Sequence, residues 1–306
     1  MELRHIRYFV AVAEEGSLTV AAERRLHTSQ PSLSRQIRDL EIEIGVPLLT
    51  RSVHGVELTS AGKAFLDHAR LALAQVEAAR EAARRAAHPE KPSFALGFLT
   101  GQEMDWLPEA MHILRDELPH IDVTVTSDYS PVLADALTRG RLDLAFMRRE
   151  AHAADLVFRT VTRETLMAVL PSDHPLALHK SIALREIASE PFVSVSNTAP
   201  ALRAVIDDYV RQTGLTMTPA HEADNLAMAI SLVASRRGFA LLPRYAQNFL
   251  PWSVVSRPIK GPVPTIDLVV GYHKANASPI LKLFLSKVDE LIKRVKASSE
   301  TAITMR

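Results

Sequence analysis

The residues best suited to do chemistry lie between Ser17 and Leu40, in SLTVAAERRLHTSQPSLSRQIRDL. Leu33, Ile37 and Leu40 recur at helical spacing, which predicts a second helix with one buried face. The opposite face of that helix presents hydrogen-bonding side chains and no carboxylate: Gln30, Ser32, Ser34, Arg35 and Arg38. Residues suited to cap the two helices are Ser17 or Thr19 and Thr28 or Ser29. A helix with this exposed chemistry fits the DNA major groove. A plain surface helix pair with solvated arginines is the alternative.

A short hairpin is predicted after Gly45, with strands at 48–49 and 56–58. Arg51 and His54 lie in the turn between these strands, and a turn of this kind forms a wing. Both side chains are suited to reach a phosphate or the minor groove. For Arg51, an ion pair within the same domain is an equal alternative.

A long helix is expected to follow Thr59 and to end before Pro89. Its small and apolar residues follow steps of three and four, which is a heptad seam: Gly62, Phe65, Ala69, Ala72, Val76, Ala79, Ala83 and Ala86. A helix of this length needs a partner, so we interpret it as a dimerisation arm. The alternative is a helix packed on its own domain.

Beyond the linker HPEKP at 88–92, strands alternate with helices, which is typical of an α/β fold with parallel strands. Strands are predicted at 93–99, 121–127, 142–147, 192–195, 216–222, 239–242 and 265–272. Helices are predicted at 106–118, 131–139, 182–187, 200–213, 225–235 and 279–295. The last strand and helix return to the first half, which gives two lobes joined by two crossover strands.

In open α/β sheets, ligands bind beyond the carboxyl ends of the strands and between lobes. Four strand ends offer polar groups: Thr100-Gly101-Gln102, Ser127-Asp128-Tyr129-Ser130, Met147-Arg148 and Ser196-Asn197-Thr198. Hydroxyls and helix N-terminal N–H groups bind carboxylates well, and Arg148 would add charge. Each of these residues has an alternative role as a helix cap. Leu99, Phe146 and Phe192 are apolar candidates for the rest of the cleft, or else belong to the sheet core.

Composition limits the remaining classes of function. The 306 residues allow two or three domains, and 47% hydrophobic residues provide for sizeable cores. A net charge of +1 does not by itself indicate nucleic acid. The absence of cysteine excludes disulfides and thiolate metal sites. We find no catalytic motif, metal cluster or phosphate loop, so neither an enzyme nor a cofactor is expected. No apolar run reaches about 18 residues, so no membrane span is expected, and cytoplasmic residence fits.

The motifs together resemble the LysR-type transcriptional regulators: MELRHIRYFVAVAEEGSLTVAA, SQPSLSRQIRDLE, IGVPLLTRS and ELTSAGKAFL, in order. HTSQPSLS and VGYHK are similar to activators of aromatic-acid catabolism, in particular the phenylpropionate/cinnamate type. The resemblance implies an N-terminal all-α winged helix-turn-helix plus a long linker helix, then a C-terminal α/β two-lobed sensor like periplasmic binding proteins. The implied domains are 1–58, 59–88 and 89–306, with lobe I about 91–162 and 266–306 and lobe II about 163–265.

The resemblance also implies partners and sites. The partners are double-stranded promoter DNA, a small organic-anion inducer, further copies of the chain in a dimer of dimers, and RNA polymerase. Bases are expected to face Gln30, Pro31, Ser34 and Arg35, and phosphates to lie near Thr19, Ser29, Arg38 and Arg51. The positions that match the family's inducer cleft are Thr100, Ser130, Ser196 and Asn197. A small-molecule-binding protein of the same fold without DNA binding is the alternative.

One residue departs from the family spacing. The step from Ala22 to Leu26 is four residues, whereas the family usually has three. A step of four returns to the same helix face, so the helix either lengthens or shifts the turn before Gln30.

Overall fold

The computed structural model describes residues 1–52, 55–87, 93–150, 153–236 and 238–304. The chain divides into two compact units, Met1–Ala87 and His88–Arg306. Among the residues described, none of the helices combines the length and apolar character that a bilayer span requires.

The first unit is helical with one hairpin. Its elements are α1 (Leu3–Glu15), α2 (Leu18–Val20), a π-helical segment (Ala21–Leu26), α3 (Gln30–Ile44), β1 (Leu49–Ser52), β2 (Gly55–Leu58) and α4 (Ser60–Ala87). The aliphatic faces of α1 and α3 meet around Phe9, Leu33 and Ile37, which are fully buried. Gly45 ends α3 in the left-handed region at φ 83°, which a glycine adopts without steric cost.

The first three turns of α4 pack on this same core. Phe65 meets Phe9 edge to face at 5.1 Å, and Leu66 and Ala69 are buried. A Cβ at Gly62 would lie 2.0 Å from the Leu48 carbonyl oxygen, so only glycine permits this contact. The alternative of a helix packed on its own domain therefore holds for the start of α4. Further along, Ala79 is exposed and Val76 is partly exposed.

The second unit is built on one mixed sheet. Its strands are β3 (Ser93–Leu99), β4 (Asp122–Asp128), β5 (Leu144–Met147), β6 (Leu156–Pro171), β7 (Phe192–Val195), β8 (Pro219–Ala223), β9 (Phe239–Pro243), β10 (Val254–Pro258) and β11 (Thr265–His273). The order is β4-β3-β5-β11-β6-β9-β7-β8, and β10 pairs with β6. The helices are α5 (Glu103–Glu117), α6 (Ser130–Thr138), α7 (Pro200–Thr213), α8 (Leu226–Arg236), α9 (Pro279–Ser286) and α10 (Val288–Thr304).

Two lobes result because β6 spans 16 residues and takes different partners along its length. Its first part pairs antiparallel with β11, beside the parallel strands β3, β4 and β5 of lobe I. Its last part pairs with β9 and β10, beside the parallel strands β7, β8 and β9 of lobe II. Each lobe has its own hydrophobic core.

Three local predictions differ from the structure. The predicted helix at 182–187 is only a 3-10 turn, Leu184–Glu186. The predicted helix at 279–295 is interrupted at Lys287, which separates α9 from α10. Two strands were not predicted, β6 and β10. The segment of β10, VVSRP, has little alternation and ends in proline, which cannot donate to a ladder.

Candidate DNA interface and ligand cleft

The extra residue between Ala22 and Leu26 is absorbed by the π-helical segment Ala21–Leu26. The backbone N–H of His27 donates to the Ala22 carbonyl, five residues back, as in a π-helix. Ala21 and Ala22 remain fully buried. His27 then takes a left-handed conformation at φ 49°, which is uncommon for a residue with a Cβ. The widened turn therefore keeps the small residues inward, and the strain falls on the connection to α3.

The start of α3 is defined by Ser29, whose Oγ accepts from the Ser32 N–H at 3.4 Å. Pro31 occupies the second helical position, where its missing N–H costs nothing. Arg35 and Arg38 are exposed, and neither forms an ion pair with any residue that the structure describes. Gln30 is half-buried, and Pro31 and Thr19 are exposed. Gln30, Arg35 and Arg38 thus offer hydrogen-bond donors and two cations on α3.

Ser34 corrects the predicted exposed face. Its side chain is only 9% exposed and lies on the inner side of α3 with Leu33 and Ile37. Ser34 lies three positions before Ile37 and shares its buried helix face. Its step of four residues to Arg38 also favours the exposed face, but the buried position prevails. A buried hydroxyl contributes to packing within the domain and is not presented to a base.

The hairpin forms as predicted, with Arg51 opposite Val56 in the antiparallel register. The side chain of Arg51 and all of His54 lie outside the described residues. Glu41 holds the entrance to the wing, since its carboxylate accepts from the backbone N–H groups of Leu48 at 2.7 Å and Leu49 at 3.0 Å.

Arg25 is engaged inside the unit. Its guanidinium lies 2.5 Å from Glu14, and Arg70 on α4 binds the same carboxylate at 2.8 Å. Burial raises the pKa of Glu14, but the hydrogen bonds and charges of Arg25 and Arg70 outweigh it, and the net pKa is lowered. Arg25 therefore ties the π-helical segment to α1 and α4, unlike Arg35 and Arg38.

The second unit contains a cleft at the carboxyl ends of β3, β5, β7 and β9, and residues of both lobes line it. The empty space of the cleft, together with the open solvent beside it, amounts to about 710 Å³. Lobe I contributes Leu99, Thr100, Tyr129, Ser130 and Arg148. Lobe II contributes a mostly apolar wall: Val195, Ala199, Pro200, Ala201, Leu202, Ala223, Leu226, Ala229, Leu242 and Pro243.

Arg148 supplies the buried charge of this cleft. Its side chain is 5% exposed, and its Nη2 binds a Glu164 carboxylate oxygen at 2.5 Å. Gln102 donates to the same carboxylate at 3.1 and 3.3 Å. The buried Nη1 of Arg148 has no hydrogen-bond partner among the described residues. A buried donor without a partner is costly, and an anion in the cleft would satisfy it.

Two helices begin at the cleft without a side-chain cap. The N-cap residues are Tyr129 for α6 and Ala199 for α7, and neither side chain accepts a backbone hydrogen bond. Ser130 is buried and its Oγ accepts from the Arg148 backbone N–H at 2.9 Å, which leaves its hydroxyl proton available to donate. Helix N-termini carry partial positive charge, so both favour an anion nearby.

Two acidic residues also line the cleft, Glu150 and Asp224. Burial, and then the charges of Asp128 and Asp224, raise the pKa of the Tyr129 phenol. The phenol therefore remains a neutral hydrogen-bond donor at physiological pH. The cleft thus combines a buried arginine, paired with Glu164, with two further acidic lining residues.

The predicted cleft residues separate into two groups. Thr100, Ser130 and Arg148 line the cleft together, whereas Gly101, Ser196 and Asn197 do not. Ser196 is buried and its Oγ lies 2.9 Å from Oγ1 of Thr198, which does line the cleft. Phe146 and Phe192 are also not lining residues: both belong to the hydrophobic cores, because their strands are covered on both faces.

Sequence reasoning missed Tyr245 and Glu164. Tyr245 lines the cleft two residues after β9 ends, so the strand-end rule would have selected it. Glu164 is 9% exposed on the crossover strand β6, and its place directly before the apolar run LMAVL was a signal of a paired buried acid.

A winged helix-turn-helix joined to a two-lobed cleft that is suited to an anion defines a ligand-responsive DNA-binding protein. A family model described as "Bacterial regulatory helix-turn-helix protein, lysR family" matches residues 3–63. Another, "LysR substrate binding domain", matches residues 87–292.

Curated relatives and solved structures agree with these two family models. The Hca operon transcriptional activator HcaR of Escherichia coli (strain K12) is 37% identical over 298 residues, covering 97% of this chain and 100% of the relative. The structure of full-length BenM has a TM-score of 0.59 at 27% identity and covers 98% of each chain. The fold is also that of CbnR, a LysR family transcriptional regulator, with a TM-score of 0.65 at 23% identity over 96% of this chain and 99% of that one.

The chain therefore belongs to the LysR family and is a LysR-type transcriptional regulator. It binds promoter DNA through the helix-turn-helix and a small-molecule effector through the two-lobed domain. The predicted fold class and family are confirmed, and the protein is not an enzyme. The alternative of a binding protein without a DNA-reading domain has no support.

Proposed function

We propose that this regulator responds to a small organic anion, most specifically an aromatic carboxylate. The observation that carries the proposal is the buried Arg148, whose Nη1 lacks a partner among the described residues while the opposite wall of the cleft is apolar. A ligand with one charged end and one ring matches both halves of this cleft. The relative HcaR is by its name an operon activator, and we propose activation here as well.

The carboxylate would sit at the lobe I side. Arg148 would donate a charge-assisted hydrogen bond from Nη1, and Ser130 and Thr100 would add hydroxyl donors. The uncapped start of α6 would contribute N–H groups and partial positive charge. The ring would lie against the apolar wall of lobe II, formed by Val195, Leu202, Leu226 and Leu242.

The reader surface that we propose comprises Gln30, Pro31 and Arg35 for bases, and Thr19, Ser29, Arg38 and Arg51 for phosphates. Gln30 and Arg35 have the donors for base edges, and Arg35 is exposed with no ion pair to any described residue. By similarity to the family, the operator would be an inverted repeat containing T and A, with a long spacer. The expectation that Ser34 contacts a base is not carried forward, because its side chain is buried.

We further propose the assembly and its mechanism. The domains are 1–58, 59–88 and 89–306, and the later part of α4, where Ala79 is exposed, pairs two copies. Pairing of sensor lobes would then give a dimer of dimers. Effector binding would shift the population between two arrangements of the reading heads and so alter the contact with RNA polymerase. The chromosome is the target, so the regulator would act in the cytoplasm.

The effector proposal is tested by titration calorimetry of the full chain with cinnamate, phenylpropionate, benzoate, the neutral cinnamamide and a sugar. We expect the carboxylates to bind and the sugar not to bind. Ser130→Ala and Thr100→Val should each weaken carboxylate binding by about 1–2 kcal/mol per lost hydrogen bond. Thr124→Val, on an exposed position of β4, is the matched control and should change nothing. Equal binding of the amide and the carboxylate would refute a charged pocket.

The reader surface is tested by gel shift on the DNA upstream of the protein's own gene and on random DNA. Arg35→Ala should cost about 1–3 kcal/mol on the operator and less on random DNA, because base contacts carry the specificity. Arg38→Ala should weaken both DNAs alike, because a phosphate contact is independent of sequence. Equal losses for Arg35→Ala on the two DNAs would show that Arg35 touches only the backbone.

A further inference from the structure

The segment Arg244–Phe249, which follows β9 of lobe II, lies beside the cleft and contacts lobe I. We name it the clasp. Its Tyr245 hydroxyl donates to the Thr100 carbonyl at 3.4 Å. Its Asn248 amide donates to both carboxylate oxygens of Asp105 at 3.1 and 3.2 Å. Because Thr100 and Asp105 belong to lobe I, the clasp joins the two lobes with polar contacts.

Close packing fixes the Tyr245 ring over the turn after β3. A Cβ at Gly101 would lie 2.8 Å from the Tyr245 ring and 3.2 Å from Phe249. Gly101 also has φ 95°, a conformation that L side chains rarely adopt. Gly101 is therefore required for the approach of the clasp, although it does not line the cleft.

The same ring covers the buried guanidinium of Arg148, with Cζ 5.8 Å from the ring centroid. Glu164 holds Nη2 on another side, at 2.5 Å. The guanidinium is thus oriented by a carboxylate of the crossover strand β6 and by a ring that follows β9. Partial burial raises the pKa of the Tyr245 phenol to about 12, so it is a neutral donor. A neutral ring face attracts the cation without competing with an anion.

We infer that Tyr245 is a positioning residue for effector recognition: the clasp sets Arg148 for an anionic ligand, so that carboxylate binding and lobe closure strengthen each other. This inference rests on the proposed function, because the ligand it concerns is the carboxylate. The bound anion would meet Nη1 in the position that Glu164 and the Tyr245 ring together give the guanidinium. By linkage, the carboxylate then stabilises the closed clasp as much as the clasp strengthens the carboxylate.

The test compares Tyr245→Phe, Tyr245→Leu and Asn248→Ala in the full chain, by calorimetry with cinnamate and cinnamamide. Tyr245→Phe keeps the ring over Arg148 and should bind cinnamate within about threefold of wild type. Tyr245→Leu keeps an apolar side chain but removes the ring, and should bind cinnamate about tenfold more weakly. Cinnamamide, which has no charge for Arg148, should respond little. Asn248 does not line the cleft, so Asn248→Ala should weaken cinnamate binding only through the lost contact between the two lobes.

Backbone hydrogen exchange of residues 100–105 and 244–249 supplies a second readout. Cinnamate should slow exchange in both segments of wild type and have a much smaller effect in Tyr245→Leu. Equal loss of cinnamate and cinnamamide affinity in Tyr245→Leu would reduce the residue to packing and overturn the inference. If wild type binds no carboxylate, the proposed function fails. The clasp itself is then tested without ligand. Tyr245→Leu and Gly101→Ala should each speed hydrogen exchange in both segments, and unchanged exchange would reject the clasp.

Discussion

Removing the charge of Glu164 should make the regulator less stable and yet more avid for its effector. The Arg148–Glu164 pair is almost fully buried and its atoms lie 2.5 Å apart. Glu164→Gln leaves the guanidinium without a counter-charge, which costs about 3 kcal/mol in a buried site. The ligand-free variant should therefore melt several degrees below wild type.

The gain in affinity follows from repulsion between two carboxylates that share one arginine. A ligand on Nη1 and Glu164 on Nη2 would hold their charges roughly 7 Å apart, which corresponds to about 2 kcal/mol at an effective dielectric constant of 20. Relief of that repulsion is a factor of about 30, and solvent at the mouth of the cleft lowers it to about tenfold. Cinnamate should thus bind about tenfold more tightly to Glu164→Gln, and it should raise the melting temperature more than in wild type.

Calorimetry and thermal melting of the full chain, with and without cinnamate, check both effects. Glu109→Gln is the matched control, because it also removes one negative charge from the second unit, and Glu109 accepts a hydrogen bond from Ser298 away from the cleft. An independent sign of the same charge is Asp105, whose pKa is raised first by burial and then by Glu164. The pKa of Asp105 should therefore fall in the Glu164→Gln variant. Unchanged or weaker cinnamate binding in Glu164→Gln would refute the placement of the carboxylate beside Arg148.

Three further predictions concern the DNA-reading unit. Deletion of Arg24 should convert the π-helical segment Ala21–Leu26 into an α-helix and leave a protein that is folded by circular dichroism. Deletion of the exposed Asp39 in α3 is the control. It should unfold the unit, because the loss of one residue rotates the rest of that helix by about 100°. Ala79→Glu should place a charge in the pairing surface of α4 and lower the sedimentation coefficient, and a wild-type profile would show that the seam is misassigned. The lowered pKa of Glu14 means that its ionised form stabilises the fold at pH values above the ordinary glutamate pKa near 4.5, and that this stability is lost as the pH falls through the folded pKa. Glu14→Gln should abolish that part of the pH dependence of unfolding. An unaltered acid transition would contradict this prediction.

The helix-turn-helix was predictable because its signals are local. Leu33, Ile37 and Leu40 repeat at helical spacing, Ser29 caps and Gly45 terminates, and all of these act within a few residues of the chain. The predicted strands of the sensor at 93–99 and 192–195 agree with the structure for a similar reason, since continuous apolar runs bounded by turn residues favour buried strands. Ser34 shows the limit of this reasoning, since a shift of one residue along a helix is enough to move a side chain from the exposed face to the buried face.

The cleft depended on the tertiary structure. Sequence rules selected strand ends, and these did bring Thr100, Ser130 and Arg148 to one surface. The partner of Arg148 is 16 residues away on a crossover strand, and the ring that covers it lies about a hundred residues further along the chain. Their meeting is set by the antiparallel return of β6 and by the docking of the Arg244–Phe249 clasp on Gly101. The sequence alone determined which groups carry charge. Long-range packing decided which charge is buried, paired and left with one donor that no described residue accepts from, because burial and pairing are properties of residues that meet only when the chain has folded.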